Sequence, residues 1–342
     1  MFLSRCTCGS NYFPGNVLSI PAASRAVPDK EVVPVSLLIQ RPDPRSLRRR
    51  PADDLLSDGT TMGAVELLVK DLDGMIAYYS TGVTLDVLQH SGDTAVLGHD
   101  GRVVLRLRRV TDLPSWRPNQ AGLFHTAVLF DDDAALARAL ASMARFAPGT
   151  FTGSADHLYS QAFYFTDPEG NGVELYADRP RETWQREANG LLSLASNYLD
   201  PNEFLRTNLS REAPQPATAP ASTLGHVHLQ VGDIPTGREF YVDTLGFEVM
   251  SDAGSALFIS AGGYHHHIAL NTWNSAGAGP RAASLGLGQV NIDLPTGEDI
   301  AALEERLTDH RVTTRHDGAV LRFEDPWGTL IQVAQAPAPG VA

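Results

Sequence analysis

The sequence predicts an α+β fold built from four tandem βαβββ modules, and three observations predict it. A nine-residue phrase recurs: Gly63-Ala-Val-Glu-Leu-Leu-Val-Lys-Asp71 and Gly225-His-Val-His-Leu-Gln-Val-Gly-Asp233 both alternate as half-buried strands do. Each phrase runs into a helical stretch with an aromatic pair, Tyr78-Tyr79 in one copy and Phe240-Tyr241 in the other. Two hairpins further on share an Asp-Pro-X-Gly turn, in 162–176 and in 320–333. There Pro presets φ and Gly accepts a positive φ.

The elements follow in order. In module one (63–118), Gly82 stops the helix and strands follow at 94–97 and 103–107. Module two (121–180) opens with a strand at 123–130, then a helix at 134–146, then its Asp167-Pro168 hairpin. Module three (223–280) ends its helix at Leu245-Gly246-Phe247 and continues in strands at 256–260 and 266–270. Module four (285–336) has a strand at 288–294, a helix at 299–307 and the Asp325-Pro326 hairpin. The chain divides into a leader (1–61), an N-terminal pair of modules (62–180), a linker (181–222), a C-terminal pair (223–336) and a tail (337–342). The leader is rich in Pro, Ser and Arg and is expected to be disordered; whether it belongs to the mature protein is left open. The linker starts with a helix-like stretch and ends in Pro/Ala-rich coil at 213–222.

At 342 residues the chain exceeds one ordinary core. A net charge of −13 argues against nucleic acid and anionic membrane as partners. Its only cysteines, Cys6 and Cys8, permit no disulfide framework and stand without further ligands nearby, so a metal role for them is disfavoured. No apolar run reaches the length of a membrane span, and Phe2-Leu3 gives way at once to Ser, Arg and Cys, so the expected location is cytoplasmic.

The phrases Gly-His-Val-His-Leu-Gln-Val (225–231), Gly-Gly-Tyr-His-His-His-Ile-Ala-Leu-Asn-Thr-Trp (262–273) and Asp-Pro-Glu-Gly-Asn-Gly-Val-Glu-Leu-Tyr-Ala-Asp-Arg-Pro (167–180) carry a family resemblance. Over residues 62–336 the chain resembles the vicinal-oxygen-chelate superfamily of glyoxalases, bleomycin resistance proteins and extradiol dioxygenases. Within it, the phrases are most similar to the catechol-2,3-dioxygenase, CatE-like, branch. The resemblance implies paired modules whose strands curl into half-barrel cavities. It also implies metal ligands early in the first strand and inside the last strand of a module. Those positions hold Ala64, His125, His226 and Gln289, and Glu174 and Gln332. The ligand set so implied is His125, Glu174 and His226, a 2-His-1-carboxylate triad suited to Fe(II), with Mn(II) as an alternative. These three share a cavity only if module two pairs with three, and one with four. The other cavity is then expected to be structural.

The implied reaction is extradiol cleavage of a catechol-type ring with dioxygen. His267 is the implied acid/base, Tyr164 a hydrogen-bond donor to a phenolate oxygen, and His157 a further histidine beside the metal. A glyoxalase-like isomerase or hydrolase, or a non-catalytic binding protein of the same fold, is the alternative; fold alone does not choose between them. His228, His265 and His266 stay between structural and catalytic roles. Glu66 reads as structural, Glu169 as solvated, and His90, His99, His310 and His316 as surface residues. Trp184, Trp273 and Trp327 read as packing residues, Trp273 also as a wall of the pocket. The identity of the catechol and the oligomeric state, a homo-oligomer included, stay open.

Overall fold

The computed structural model describes residues 42–47, 50–117, 119–209 and 221–337. Module one consists of β1 (Thr61–Val69), α1 (Leu72–Ala77), β2 (Asp86–Ser91), β3 (Thr94–His99) and β4 (Arg102–Arg109). Module two has β5 (Gly122–Phe130), α2 (Asp133–Phe146), β6 (Phe151–Asp156), β7 (Ser160–Thr166) and β8 (Gly172–Asp178). After α3 (Pro201–Asn208), module three has β9 (Ser222–Gln230), α4 (Ile234–Arg238), β10 (Glu248–Asp252), β11 (Ala256–Ser260) and β12 (Ile268–Asn271). Module four has β13 (Gly286–Leu294), α5 (Gly297–Asp309), β14 (Arg315–His316), β15 (Val320–Glu324) and β16 (Leu330–Gln335).

Local chemistry starts the helix of every module. Side chains of Asp71, Asp132 and Asp233 accept the amide of the third residue on, and Thr296 forms a capping box with Asp299. In modules one and three the helix then widens into a π-turn, Tyr78–Gly82 and Glu239–Thr244, which buries the aromatic pair.

The strands form two eight-stranded sheets, ordered β14-β15-β16-β13-β1-β4-β3-β2 and β10-β11-β12-β9-β5-β8-β7-β6. Module one therefore pairs with four and module two with three, the arrangement that the expected triad requires. The first strands meet antiparallel at each sheet centre, with Val65 opposite Val290 and Ala127 opposite His226. Within each sequential half, a tyrosine of the π-turn reaches the Asp-Pro turn of the next module. Tyr79 donates to Asp167 and Tyr241 to Asp325, both at 2.9 Å. The halves are thus tied by buried Tyr–Asp bonds while the sheets cross between them. One apolar cluster packs the helices onto both sheets, with Val65, Leu67, Phe130, Phe163, Val227 and Ile331 fully buried.

Two segments depart from expectation. The described part of the leader is built into module three rather than disordered. Asp252 accepts from Arg238 (2.7 Å), Ser46 (2.6 Å) and the amide of Asp43 (3.0 Å), and the amide of Leu56 bonds Gly246 O. The reason is charge: Arg238 is almost fully buried and needs Asp252, whose remaining valence the leader satisfies. In the linker, the start forms only a 3-10 turn, Arg181–Thr183, and the α-helix lies further on, at Pro201–Asn208, capped by Asp200. Cys6, Cys8, residues 210–220 and the tail beyond 337 lie outside the described residues. Among the described residues no helix is long and apolar enough to cross a membrane.

Asp252→Ala is expected to destabilise the protein by about 3 kcal/mol, because it strands a buried guanidinium. Urea unfolding beside the wild type measures it; a change below about 1 kcal/mol, the ceiling for exposed pairs, would show that this ion pair behaves as a surface one.

Candidate metal centre

The concave face of the sheet formed by modules two and three holds the candidate site. Strand alternation puts His125 and Ala127 of β5, Tyr164 of β7, Glu174 and Tyr176 of β8, and His226, His228 and Gln230 of β9 on this face. Apolar residues on the opposite face, such as Val128, Phe163, Leu175 and Val227, anchor the strands in the core. Ala127 lies between Glu174 on β8 and His226 on β9 in the register. Gly225, next to His226, has a steric reason. A Cβ there would stand 1.7 Å from the Tyr176 hydroxyl oxygen, so only glycine lets that ring pack beneath His226.

Three donor atoms converge. Glu174 Oε2 lies 2.8 Å from His125 Nε2 and 3.1 Å from His226 Nε2, with all three side chains buried. Bonds of ~2.1 Å at right angles would separate donor atoms by roughly 3 Å, so the set fits a facial triad. Burial opposes ionisation of Glu174, but the two imidazoles and their hydrogen bonds outweigh it and hold the carboxyl well below its ordinary range. Burial pushes His226 down to about 4, which keeps it neutral and able to bind metal at neutral pH. A second set of convergent donors, His226, His265 and His266, lies beside the first.

Tyr164 and His157 stand next to the triad. The Tyr164 hydroxyl is 2.7 Å from His157 Nε2 and 3.4 Å from Glu174 Oε1. Ala195 O, 2.7 Å from His157 Nδ1, can only accept, so that nitrogen carries the proton and donates it in the hydrogen bond. His157 Nε2 is then the acceptor, and Tyr164 donates to it. Burial and then the Glu174 charge raise Tyr164 well above its ordinary range, so it stays a protonated donor.

The histidine run arranges itself differently from expectation. His266, not His267, lines the cavity, with its ring centroid 4.0 Å from that of His226. His267 Nδ1 lies 3.0 Å from Ser260 Oγ and accepts the amide of Ala261 at 3.3 Å, while Tyr264 covers its ring. His228 also faces the cavity, its Nε2 accepting from the Asn271 amide at 2.9 Å. His265 is buried against Asp178. His99, expected at the surface, is buried between Asp86 and Asp100, each 3.3 Å away. Glu169, expected to be solvated, accepts the amides of Lys70 and Asp71 and pins the turn to module one. In the other sheet, Gln289 bonds Asn291, Gln332 accepts from Arg322, and Glu66 pairs with Arg108.

The cavity above the triad measures about 1980 Å³. Phe124, Phe258 and Trp273 form aromatic walls around His228. Linker residues Leu194 to Tyr198 form another wall. The linker's part, through Ala195 O, had no sequence signal, because a backbone carbonyl is present at every residue.

A family model described as the Glyoxalase/Bleomycin resistance protein/Dioxygenase superfamily matches residues 61–175 and 223–333. A catechol-2,3-dioxygenase of Bacillus subtilis is 33% identical over 276 residues, covering 79% of this chain and 95% of that protein. A metapyrocatechase of Geobacillus stearothermophilus is 24% identical over 219 residues, covering 62% of this chain and 60% of its own length. Among solved structures, glyoxalase I from Zea mays superposes with a TM-score of 0.52 at 16% identity, over 81% of this chain and 92% of that one. This last likeness concerns the fold alone.

Proposed function

Because the chain belongs to the Glyoxalase/Bleomycin resistance protein/Dioxygenase superfamily, we propose that it is an extradiol dioxygenase that opens catechol-type rings with dioxygen at a metal held by His125, Glu174 and His226. The observation that carries this reading is the convergence of two imidazoles and one carboxylate from modules two and three at the floor of one cavity. Three protein donors on one face suit Fe(II), with Mn(II) able to use the same set. When bound, the metal supplies open positions where catechol and dioxygen meet and through which electrons pass.

The protein's own groups do the rest. Tyr164, held protonated and donating to His157 Nε2 in the resting protein, redirects its one hydrogen to an oxygen of the diol when the diol binds. His266 takes a proton from the catechol, the role that the sequence resemblance gave to His267. Phe124, Phe258 and Trp273 give the substrate ring aromatic surfaces to pack against. The cavity exceeds the ~300–1,000 Å³ of ordinary ligand pockets, which suits a catechol with a bulky substituent.

The test is anaerobic loading with Fe(II), then catechol and substituted catechols with dioxygen, followed by oxygen electrode and absorbance. Oxygen uptake with one yellow ring-fission product per dioxygen is the expected result. Stoichiometric iron with no oxygen consumed across the panel sinks the dioxygenase reading and directs attention to isomerisation or simple binding.

A further inference from the structure

We infer that Asp178 and His265 are positioning residues that lock His266 as a neutral base with its free lone pair on Nε2. Three side chains outside the triad form a hydrogen-bonded chain. Asp178 Oδ1 is 2.9 Å from His265 Nε2, and His265 Nδ1 is 2.7 Å from His266 Nδ1. An ionised carboxylate accepts and does not donate, so the proton between Asp178 and His265 sits on His265 Nε2. With that one proton on its ring, His265 presents a bare Nδ1. The Nδ1–Nδ1 contact needs one hydrogen, and His266 must supply it. With its proton on Nδ1, neutral His266 has a bare Nε2 on a ring that lines the cavity beside His226.

Packing makes the arrangement rigid. The His265 side chain is fully buried. It stacks on Tyr159 at 4.7 Å and lies against Tyr264 at 4.1 Å, with Trp184 at its edge. A ring held on both faces cannot turn to reverse its donor and acceptor nitrogens without disturbing these neighbours. Asp178 sits at the end of β8, the strand that also carries Glu174, so one strand sets both the triad carboxylate and the tautomer of the base. Once Nε2 accepts the catechol proton, the His266 Nδ1–H bond to His265 becomes charge-assisted, and the Asp178 carboxylate stands at the far end of the chain. A purely structural histidine pair would need packing but no particular order of protons.

The kinetic part rests on the dioxygenase reading; the tautomer part does not. The full-length, metal-free chain is labelled with 15N-histidine, and His266 is assigned by its loss in His266→Gln. Two-bond N–H correlations then show which ring nitrogen carries the proton. The wild type should carry it on Nδ1. His265→Gln should keep that pattern, because its Oε1 accepts from His266 while its amide faces Asp178. His265→Leu should move the proton wholly or partly to Nε2. In the iron-loaded enzyme, His265→Leu should lower kcat by about 100-fold with KM within about two-fold, and His265→Gln should restore kcat to within about five-fold. A wild-type His266 protonated on Nε2 overturns the inference, even if His265→Leu fails to fold. So does a His265→Leu protein with unchanged tautomer and kcat. The expected tautomer in a protein that consumes no dioxygen would support the lock and count against the dioxygenase reading instead.

Discussion

Glu174→Gln is expected to remove metal-dependent turnover while leaving the metal-free fold close to wild-type stability. The substitution keeps the side chain's volume in a fully packed place, so no cavity opens. It removes a buried charge whose partners are two imidazoles, and burial already keeps His226 neutral. What it takes away is the one anionic donor among three convergent atoms. Partners outside the coordination sphere are worth about 10–100-fold in metal affinity, so loss of a ligand should cost more than ~100-fold, and turnover should fall roughly 1,000-fold or further. His226→Ala should abolish metal binding too, but for a different energetic cost. It leaves the Glu174 carboxylate buried with His125 alone, and a buried charge that loses a hydrogen-bonding partner destabilises by about 1–3 kcal/mol. Elemental analysis after Fe(II) loading, with urea midpoints of the metal-free proteins, separates the two effects. Glu174→Gln protein that keeps one iron and at least a tenth of wild-type turnover would remove Glu174 from the ligand set. Loss of metal in His226→Ala carries a further point, because His226 belongs to module three and its proposed co-ligands to module two.

Much of this architecture was legible in the chain because its signals are local. Asp71, Asp132, Asp233 and Thr296 begin the four helices with side chains that bond nearby amides, and such caps are visible one residue at a time. The cross-pairing of modules was legible for another reason. The family resemblance implied where ligands sit, and Ala64, Gln289 and Gln332 are poor ligands at those positions, so one pairing alone could gather His125, Glu174 and His226. What could not be read depends on through-space partners. Asp43 and Ser46 look like loop residues until Asp252 is seen beside a buried Arg238, some 190 residues or more along the chain. His99 looks like a surface histidine, and its burial between two aspartates follows from a turn at Asp100 and Gly101, both at positive φ. His157 was reachable by resemblance, whereas the Ala195 carbonyl that orients it was not.

The choice between His266 and His267 shows where strand periodicity stops being a guide, and it gives the second large effect. Along β12, Ala269 lies level with His228 and Phe258, both of which line the cavity, so alternation puts His267 on that same concave face. Just before the strand, however, Gly262 and Gly263 both adopt positive φ and turn the chain sharply. That turn lays Tyr264 against the His267 ring and delivers His266 to the cavity instead. His267 then spends its Nδ1 on the Ala261 amide and the Ser260 hydroxyl, and burial lowers it to about 3, so it stays uncharged and occupied. His266→Ala should therefore lower kcat with catechol by about 100- to 1,000-fold, the usual worth of a placed general base, with KM changed little. His267→Ala should keep kcat within about five-fold yet lose about 1–2 kcal/mol of stability, because the buried Ala261 amide loses its acceptor, although the Ser260 hydroxyl keeps Ala261 O. Steady-state kinetics and urea unfolding of the two variants, side by side, make the comparison. Should His267→Ala lose the turnover and His266→Ala keep it, periodicity would have been the better guide, and proton transfer would belong to the ring beneath Tyr264.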